Sequence, residues 1–347
     1  MKFRCVPLAE ARGHILGHNV SHEGRRLLKK GRRITDATLA ELAGSGIESV
    51  YVAELESTDV DEDSAAQRIG SALEQSSGLR AEAATGGRIS LRAPSRGVLS
   101  VDAERLLELN LLEGVTLATR GRHAVLQQGE HAGTLKIIPF ALAEARVRAA
   151  VQLAEQGVVQ FRRLEPRCVQ ILVCGSEGLR ERLVETYRRP LETRLLELGM
   201  PAARVTYAAL GRDPERTLTT AIVEQSGPGI DLLLVVGETA TMDVDDLIPQ
   251  AIREAGGEVS VLGAPVFPGN LLLLGYRERC AILGTPGCAR SRAQNVVDLL
   301  LPRLLTGERP GPREIAELGL GGLLVSTGVE DARQTPAERG GLAGGSG

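Results

Sequence analysis

The length, composition and charge of the chain limit what it can be. It has 347 residues, of which 43% are hydrophobic and 2% aromatic, and its 41 basic and 44 acidic side chains leave a formal net charge of −3. This balance argues against nucleic-acid binding, which needs a basic excess or stacking aromatics. No apolar run approaches the roughly 18 residues needed to span a membrane. The amino terminus lacks the apolar core of a secretory signal, so we expect a cytoplasmic protein. The length predicts two or three domains.

The five cysteines predict neither a disulfide framework nor a structural zinc site. Their number is odd, and no two have C-x-x-C spacing. We therefore expect free thiols that serve mainly as small buried hydrophobic side chains in a reducing compartment. The residues are Cys5, Cys168, Cys174, Cys280 and Cys288.

Residues 1–160 are predicted to form a smaller α+β region of one or two modules. Alternating and apolar runs indicate strands at Lys2–Val6, Ser49–Val52, Gly97–Ser100, Val115–Thr119, His123–Gln127 and Thr134–Ile138. Helical periodicity and capping residues indicate helices at Thr35–Ala43, Asp61–Glu74, Asp102–Leu109 and Ala141–Gln156. The join to the next domain is expected around residues 157–167.

Two features near the amino terminus allow more than one interpretation. His14, His18 and His22 are spaced as metal ligands on one helical face would be, but interrupting glycines argue against a helix there. The basic run 25–33 is typical of a solvated hairpin. It could also form a lip that attracts an anionic ligand or an acidic partner.

Residues 161–310 alternate between strand and helix, which predicts an α/β domain with a three-layer, mostly parallel sheet. Strands are predicted at Val169–Val173, Arg204–Ala209, Asp231–Val236 and Glu258–Leu262, and a hairpin at Leu271–Gly275 and Cys280–Leu283. Helices are predicted at Leu179–Leu198, Pro214–Gln225, Asp245–Ala255 and Ser291–Leu305. The glycine-rich tail, 328–347, is predicted to be disordered.

Ligands of such sheets bind beyond the carboxyl ends of the strands, which directs attention to the loops there. The first loop, Cys174–Gly178, could offer helix amides to an anion, or Ser176 could simply cap the next helix. The second, Gly237–Asp246, carries four carboxylates that could hold a hydrated Mg²⁺. Asp245 and Asp246 could instead serve as cap and first-turn charge of a helix.

Two further loops lie at the same predicted edge. Gly263–Asn270 is stiffened by prolines and suits a binding wall, although a structural turn is equally compatible with its composition. Gly284–Ser291 could form a backbone nest for phosphate, to which Arg290 and Ser291 add contacts.

These loops, taken together, resemble those of molybdopterin-binding proteins of molybdenum-cofactor biosynthesis. The resemblance lies in Val236–Pro249, Ala255–Gly257, Pro265–Gly275 and Pro286–Ser291, with Cys174–Glu177 at the family's Thr-Gly-x-Glu turn and Glu10–Val20 like the family's start. The chain looks closest to molybdopterin-binding domains associated with cofactor nucleotidyltransferases. It is more distantly similar to molybdopterin molybdotransferase and gephyrin-type domains.

The resemblance implies a molybdopterin-binding fold and a set of site residues. Asp243 matches the acidic residue that serves Mg²⁺ and phosphate chemistry in catalytic members, and Glu177 matches the carboxylate of the turn. The residues expected to bind molybdopterin are Gly175, Ser176, Gly237, Glu238, Thr239, Asp246, Pro268, Gly269, Asn270, Pro286, Gly287, Arg290 and Ser291. Glu238 stands where the family has a small residue, and Cys174 replaces a threonine. These departures weaken the case for adenylyl transfer more than the case for binding.

Three functions follow from the resemblance. The first is a molybdopterin molybdotransferase, an enzyme that couples molybdate insertion to the hydrolysis of adenylylated molybdopterin. Asp243 and Glu177 would be its catalytic residues, with Mg²⁺ held by Asp243. The second is a carrier that holds molybdopterin without turnover and hands it to a molybdoenzyme or a cofactor-synthesis partner. The third is a pyrophosphatase of the competence-damage type. A homodimer is expected if the aliphatic first half exposes apolar surface.

Overall fold

Residues 1–324 are described by the structure, which is a computed structural model. They form helices and several β-sheets, so the mixed α/β class predicted from the sequence is confirmed. The chain divides into two units, Met1–Leu164 and Glu165–Gly347. No helix within residues 1–324 is both long and apolar enough to cross a bilayer. The tail predicted to be disordered, 328–347, lies outside the described residues.

The first unit is built from antiparallel strands and helices. Its strands are β1 Lys2–Pro7, β2 Ile15–Leu16, β3 Val20–His22, β4 Arg25–Leu28, β5 Ser49–Glu54, β6 Asp59–Asp61, β7 Arg80–Ala81, β8 Arg88–Arg92, β9 Gly97–Val101, β10 Val115–Thr119, β11 Val125–Leu126, β12 His131–Ile137, β13 Ala141–Ala143 and β14 Val159–Arg163. Its helices are α1 Asp36–Gly44, α2 Glu62–Ser77, α3 Ala103–Leu111 and α4 Glu144–Glu155.

Two separate hydrophobic cores stabilise this unit. One lies under the β1–β5–β2 sheet and includes Val6, Leu42 and Val52. The other lies under the β10–β12–β8–β7 and β11–β9–β14 sheets, where residues of α2 and α4 pack against strand residues such as Leu135. The first unit therefore contains two modules that bury their apolar side chains independently.

Some elements of the first unit differ from the sequence prediction. Residues 141–143, predicted to begin a helix, pair as β13 with β6, and α4 starts only at Glu144. Strands β8 and β14 are not predicted, and β14 lies within the expected interdomain join, where it pairs with β9. Its burial is one-sided, so its sequence carries no continuous apolar run. The basic run begins in the β3–β4 hairpin, as the solvated-hairpin interpretation predicts.

The three histidines do not share a helical face, because residues 14–22 form no helix. His14 and His18 lie in bends, and His22 ends β3. Glycines at 13 and 17 belong to the turns that interrupt the segment, and Gly13 has a φ of +80°. The spacing of four is therefore not a helical spacing here.

The second unit carries the chemistry-bearing loops. Its strands are β15 Val169–Gly175, β16 Arg204–Ala209, β17 Leu232–Gly237, β18 Glu258–Leu262, β19 Leu273–Arg277 and β20 Cys280–Gly284. Its helices are α5 Arg180–Glu197, α6 Pro214–Gln225, α7 Leu247–Glu254, α8 Val296–Leu305 and α9 Pro312–Ala316.

A six-stranded sheet in the order β16–β15–β17–β20–β19–β18 organises this unit. The pairs β15–β16, β15–β17 and β17–β20 are parallel, whereas β19 runs antiparallel to both β20 and β18. The predicted hairpin is thus confirmed as β19–β20. Residues Leu232–Val236 are all buried, so both faces of β17 are covered. Helices α6 and α7 pack on the face that includes Leu233 and Val235.

Two helix starts differ from the sequence prediction because other residues cap them. Helix α7 begins after Asp246, whose carboxylate accepts from the Leu247 N–H, rather than at Asp245. Helix α8 begins after Asn295, whose side chain accepts from the Val297 N–H, so residues 291–295 remain in the preceding loop.

Candidate functional site

The register of the parallel strands brings three of the predicted loops to one edge of the sheet. Cys174 of β15 pairs with Gly237 of β17, and Val235 of β17 pairs with Gly284 of β20. These positions are at or next to the carboxyl ends of their strands. The loops that follow β15, β17 and β20 therefore leave the sheet side by side, where ligands of α/β sheets bind.

The first and second loops are in direct contact. The Ser176 N–H donates to Oε2 of Glu238 over 2.7 Å, and the Glu238 N–H donates to the Cys174 carbonyl over 3.0 Å. Gly175 is buried beneath this contact, and a Cβ there would lie 2.9 Å from Oε2 of Glu238. Gly175, Ser176 and Glu238, predicted separately from the sequence, are thus brought together. The side chain of Ser176 makes no capping hydrogen bond.

Tyr207 and Arg180 extend this cluster, although no sequence pattern singles them out. The Tyr207 hydroxyl donates to the Ser176 carbonyl over 2.6 Å, and the Arg180 guanidinium lies 4.6 Å from the centre of the Tyr207 ring. Burial raises the pKa of Tyr207, and the negative charges of Glu238 and Glu177 raise it further, so the hydroxyl stays a neutral donor. The sequence feature that could have identified Tyr207 is its position, two residues before the carboxyl end of β16.

Glu177 is exposed and already paired. Its two carboxylate oxygens accept from Nε and Nη2 of Arg180, both over 2.7 Å. This hydrogen-bonded arginine lowers the pKa of the Glu177 carboxyl. A fork-shaped guanidinium contact of this kind occupies both oxygens that a ligand or metal would use.

The carboxylates of the second loop hold the loop itself. Oδ1 of Asp243 accepts from the Asp245 N–H over 2.9 Å, and Asp246 accepts from the N–H groups of Met242 and Leu247. Asp245 pairs with Arg253 of α7. Asp243 and Thr239 are exposed to solvent. Asp246 therefore caps α7, a role that the structural interpretation of this loop gave to Asp245, and Asp243 closes a turn.

No group of three or more His, Cys, Asp and Glu side chains within residues 1–324 could hold a metal ion. The side chains that the sequence predicted as metal ligands have other surroundings. Glu177 is bound to Arg180, and the three imidazoles lie outside any helix. Within the same residues, neither Asp243 nor Glu177 belongs to such a group.

The third loop is in contact with the start of α8, the helix that follows the fourth loop. The Val296 N–H, at the start of α8, donates to the Pro268 carbonyl over 3.1 Å. Gly269 is buried with a φ of +128°, and a Cβ there would lie 2.4 Å from Cγ1 of Val296. Gly269 is required because only glycine permits this close approach. Asn270 is exposed, so its side chain faces solvent.

The fourth loop is organised by Arg194, a third residue that the sequence does not single out. Its guanidinium is 5% exposed and donates to the carbonyls of Ala289, Ser291 and Ala293 and to the Asp298 carboxylate. Buried guanidinium groups need such partners, because an unpaired buried charge is costly. Arg194 thereby fixes the backbone of the predicted phosphate nest.

The side chains of the fourth loop differ in exposure. Pro286 is buried, whereas Gly287, Arg290 and Ser291 are exposed. A Cβ on Gly287 would lie 4.0 Å from the hydroxyl oxygen of Tyr187. Burial raises the pKa of Tyr187, and the positive charge of Arg290 lowers it in part. Arg290 and Gly287 therefore share an accessible surface beside Tyr187.

A groove of about 730 Å³ begins beside the first loop, between α5 and the edge strand β16. Arg180 and Tyr207 line it, together with Val184 and Val205 and the charged side chains of α5. The structure thus brings the first and second loops into contact and ties the third loop to the start of α8. Gly269 is buried, whereas Glu177, Asp243 and Gly287 are exposed.

The cysteines are free, but only two are buried. Cys174 and Cys280 lie in the sheet, Cys288 is half-buried, and Cys5 and Cys168 are exposed. The prediction of buried thiols is therefore right for two of the five. Burial, with the nearby charge of Glu238, raises the pKa of Cys174 to about 12.

The model of a domain of unknown function, DUF8806, matches residues 5–54, which include the core of the β1–β5–β2 module. No curated protein sequence matches the chain.

Two solved structures are similar to the chain over most of its length. One is a molybdopterin biosynthesis MoeA protein from Pyrococcus horikosii, with 15% identity and a TM-score of 0.29, covering 90% of this chain and 76% of that one. The other is a molybdenum cofactor biosynthesis protein from Pyrococcus furiosus, with 13% identity and a TM-score of 0.21, covering 89% and 66%. Likeness at these TM-scores carries no argument about function.

Proposed function

We propose that the second unit binds molybdopterin, an anionic pterin, at the edge where β15, β17 and β20 end. The observation that carries this proposal is the 2.7 Å hydrogen bond between the Ser176 N–H and Glu238. It joins two loops that the family resemblance assigns to the same pterin site, although 62 residues separate them in the chain. The hydrogen bond from the Val296 N–H to the Pro268 carbonyl also ties the third loop to α8, the helix that follows the fourth loop.

Arg290 is the residue best suited to receive the terminal phosphate. It is exposed on the fourth loop and makes no ion pair with any residue in the range 1–324. The nearby Arg292 forms a salt bridge with Glu197 over 2.8 Å, so its charge is already paired and is less available to a phosphate. An unpaired guanidinium beside a glycine that leaves the backbone accessible favours a phosphate ligand.

Binding without turnover is favoured over molybdate insertion. The insertion reaction would use Mg²⁺ at Asp243 and Glu177, but Glu177 is held by Arg180 and Asp243 by the Asp245 N–H. To bind Mg²⁺, Glu177 would have to leave the guanidinium of Arg180, because a cation beside that positive charge is repelled. A carrier that passes molybdopterin to a molybdoenzyme or cofactor-synthesis partner needs no such rearrangement.

Calorimetry with the full chain and molybdopterin under anaerobic conditions tests the binding proposal. Arg290→Ala is expected to weaken binding about tenfold or more, because a charge-assisted contact to phosphate is lost. Arg292→Ala is the matched control from the same loop and is expected to stay within about twofold of wild type. If wild type shows no heat of binding at high micromolar molybdopterin, the proposal is wrong.

A second assay separates the carrier from the enzymes. The protein is incubated with adenylylated molybdopterin, molybdate and Mg²⁺, and AMP release is followed. A carrier produces no AMP above the rate without protein. AMP release that is lost in Asp243→Ala would establish the molybdotransferase instead, and AMP release from ADP-ribose would establish the pyrophosphatase. The homodimer remains a prediction, which sedimentation of the full chain tests.

A further inference from the structure

The contact that joins the first two loops has a second consequence, because it places a carboxylate where an anionic ligand group would bind. Oε2 of Glu238 accepts from the Ser176 N–H, the amide that the first loop would offer to a phosphate oxygen. It also lies so close to Gly175 that a Cβ there would be 2.9 Å away. We propose that Glu238 determines ligand specificity by excluding phosphate from this loop and accepting an N–H donor of the ligand.

The charges around Glu238 support exclusion of an anion. Glu177 and Glu238 are both acidic, and Arg180 in this cluster donates from Nε and Nη2 to Glu177. The negative charge of Glu238 also contributes to the raised pKa values of Cys174 and Tyr207. A phosphate at Ser176 would have to displace one carboxylate and would still lie beside the other.

The remaining acceptor capacity of Glu238 supports the second half of the proposal. Within residues 1–324, Oε1 of Glu238 has no hydrogen-bond partner, and the side chain is exposed. Ionised carboxylates are acceptors only, so this oxygen can receive an N–H group but cannot donate to a ligand oxygen. The Ser176 carbonyl, which accepts from the Tyr207 hydroxyl, has a second lone pair that can also accept.

This inference rests on the proposed function and gives the ligand an orientation. The chemical class that fits Glu238 is a heterocycle with an amino-pyrimidinone edge, which presents neighbouring N–H donors. A pterin carries such an edge at one end and, in molybdopterin, a phosphate at the other. The donor edge then binds the first and second loops, and the phosphate binds the fourth loop at Arg290. A small residue at 238 would leave the Ser176 amide open to an anion.

The test uses calorimetry with the full chain and two probes: unsubstituted pterin, which has no phosphate, and inorganic pyrophosphate. In Glu238→Gln, pterin affinity is expected to fall about tenfold, because a charge-assisted hydrogen bond is lost. Pyrophosphate affinity is expected to rise about fivefold or more as the competing charge is removed. Glu238→Gly is the second variant and is expected to change both affinities in the same directions.

Glu181→Gln is the matched control, because it removes one exposed negative charge from the first turn of α5, close to the same loop. It is expected to leave both affinities within about twofold of wild type. If Glu238→Gln and Glu238→Gly behave like Glu181→Gln, the inference is overturned. If they do so while wild type still binds molybdopterin, only the inference fails. If wild type binds neither molybdopterin nor pterin, the proposed function fails with it.

Discussion

Replacing Arg194 by methionine tests how the fourth loop of the candidate site is held. Methionine fills similar space without a charge, so the change removes hydrogen bonds rather than volume. The guanidinium is buried and bonded to three loop carbonyls, and its Nε is 2.7 Å from Oδ1 of Asp298. The substitution leaves all of these acceptors without this donor.

The magnitude follows from the burial of the partners. Removing one member of a fully buried ion pair costs about 3–5 kcal/mol. The Asp298 side chain is 28% exposed and also accepts from the Asn295 N–H, so part of its desolvation is recovered. We therefore expect Arg194→Met to lower the free energy of unfolding by about 3 kcal/mol. Residues 286–295 should lose order together with this change.

The assay combines chemical unfolding with amide hydrogen exchange of the loop. Arg292→Ala is the control: its salt bridge to Glu197 is exposed, and exposed pairs contribute about 0–1 kcal/mol. Faster exchange is expected at residues 286–295 in Arg194→Met and not in Arg292→Ala. Equal stability of the two variants, with unchanged exchange in both, would refute the claim that Arg194 organises this loop.

Three further predictions concern the sheet and its edge. Gly269→Ala places a Cβ 2.4 Å from Val296 and should lower the free energy of unfolding by about 2–4 kcal/mol. The control is Gly229→Ala, which is also at positive φ but in open space and should lower the free energy of unfolding by about 1 kcal/mol. Similar values for the two variants would contradict the packing explanation. Iodoacetamide at pH 8 should modify Cys5 but not Cys174 in the native protein, as peptide mass spectrometry would show, because burial keeps the Cys174 thiol neutral below about pH 12. Since its unfolded thiol ionises near pH 9, Cys174 should also make stability fall as pH rises above 9, and a Cys174→Ala variant should weaken that fall.

Local sequence signals determined the regular elements of the second unit. Helix α6 spans Pro214–Gln225 with Asp213 as its cap, as Pro at the first helical position and an aspartate before it predict. The apolar run before Gly237 predicts β17, and the two short runs around residue 278 predict the β19–β20 hairpin. These signals are readable because capping, turn formation and strand burial involve residues close together in the chain.

The tertiary structure decided the features that depend on distant partners. Residues 141–143 form a strand because β6 pairs with them, although their sequence continues the helical pattern of α4. Residues 291–295 stay out of α8, which Asn295 caps, and their carbonyls at Ser291 and Ala293 are bound by Arg194, about 100 residues earlier in the chain. Neither partner is visible in the local sequence, so the local preference alone gives the wrong boundary.

The same division holds for the candidate site. Residue types and strand order predicted that the loops after β15, β17 and β20 carry its chemistry, because the carboxyl ends of parallel strands share one edge. Only the folded chain brings Glu238 to the Ser176 amide, Arg180 to Glu177 and Tyr207 to the first loop. Those contacts decide which carboxylates are occupied and which remain available to a ligand. A hydrogen bond depends on positions in space, and separation along the chain does not specify them.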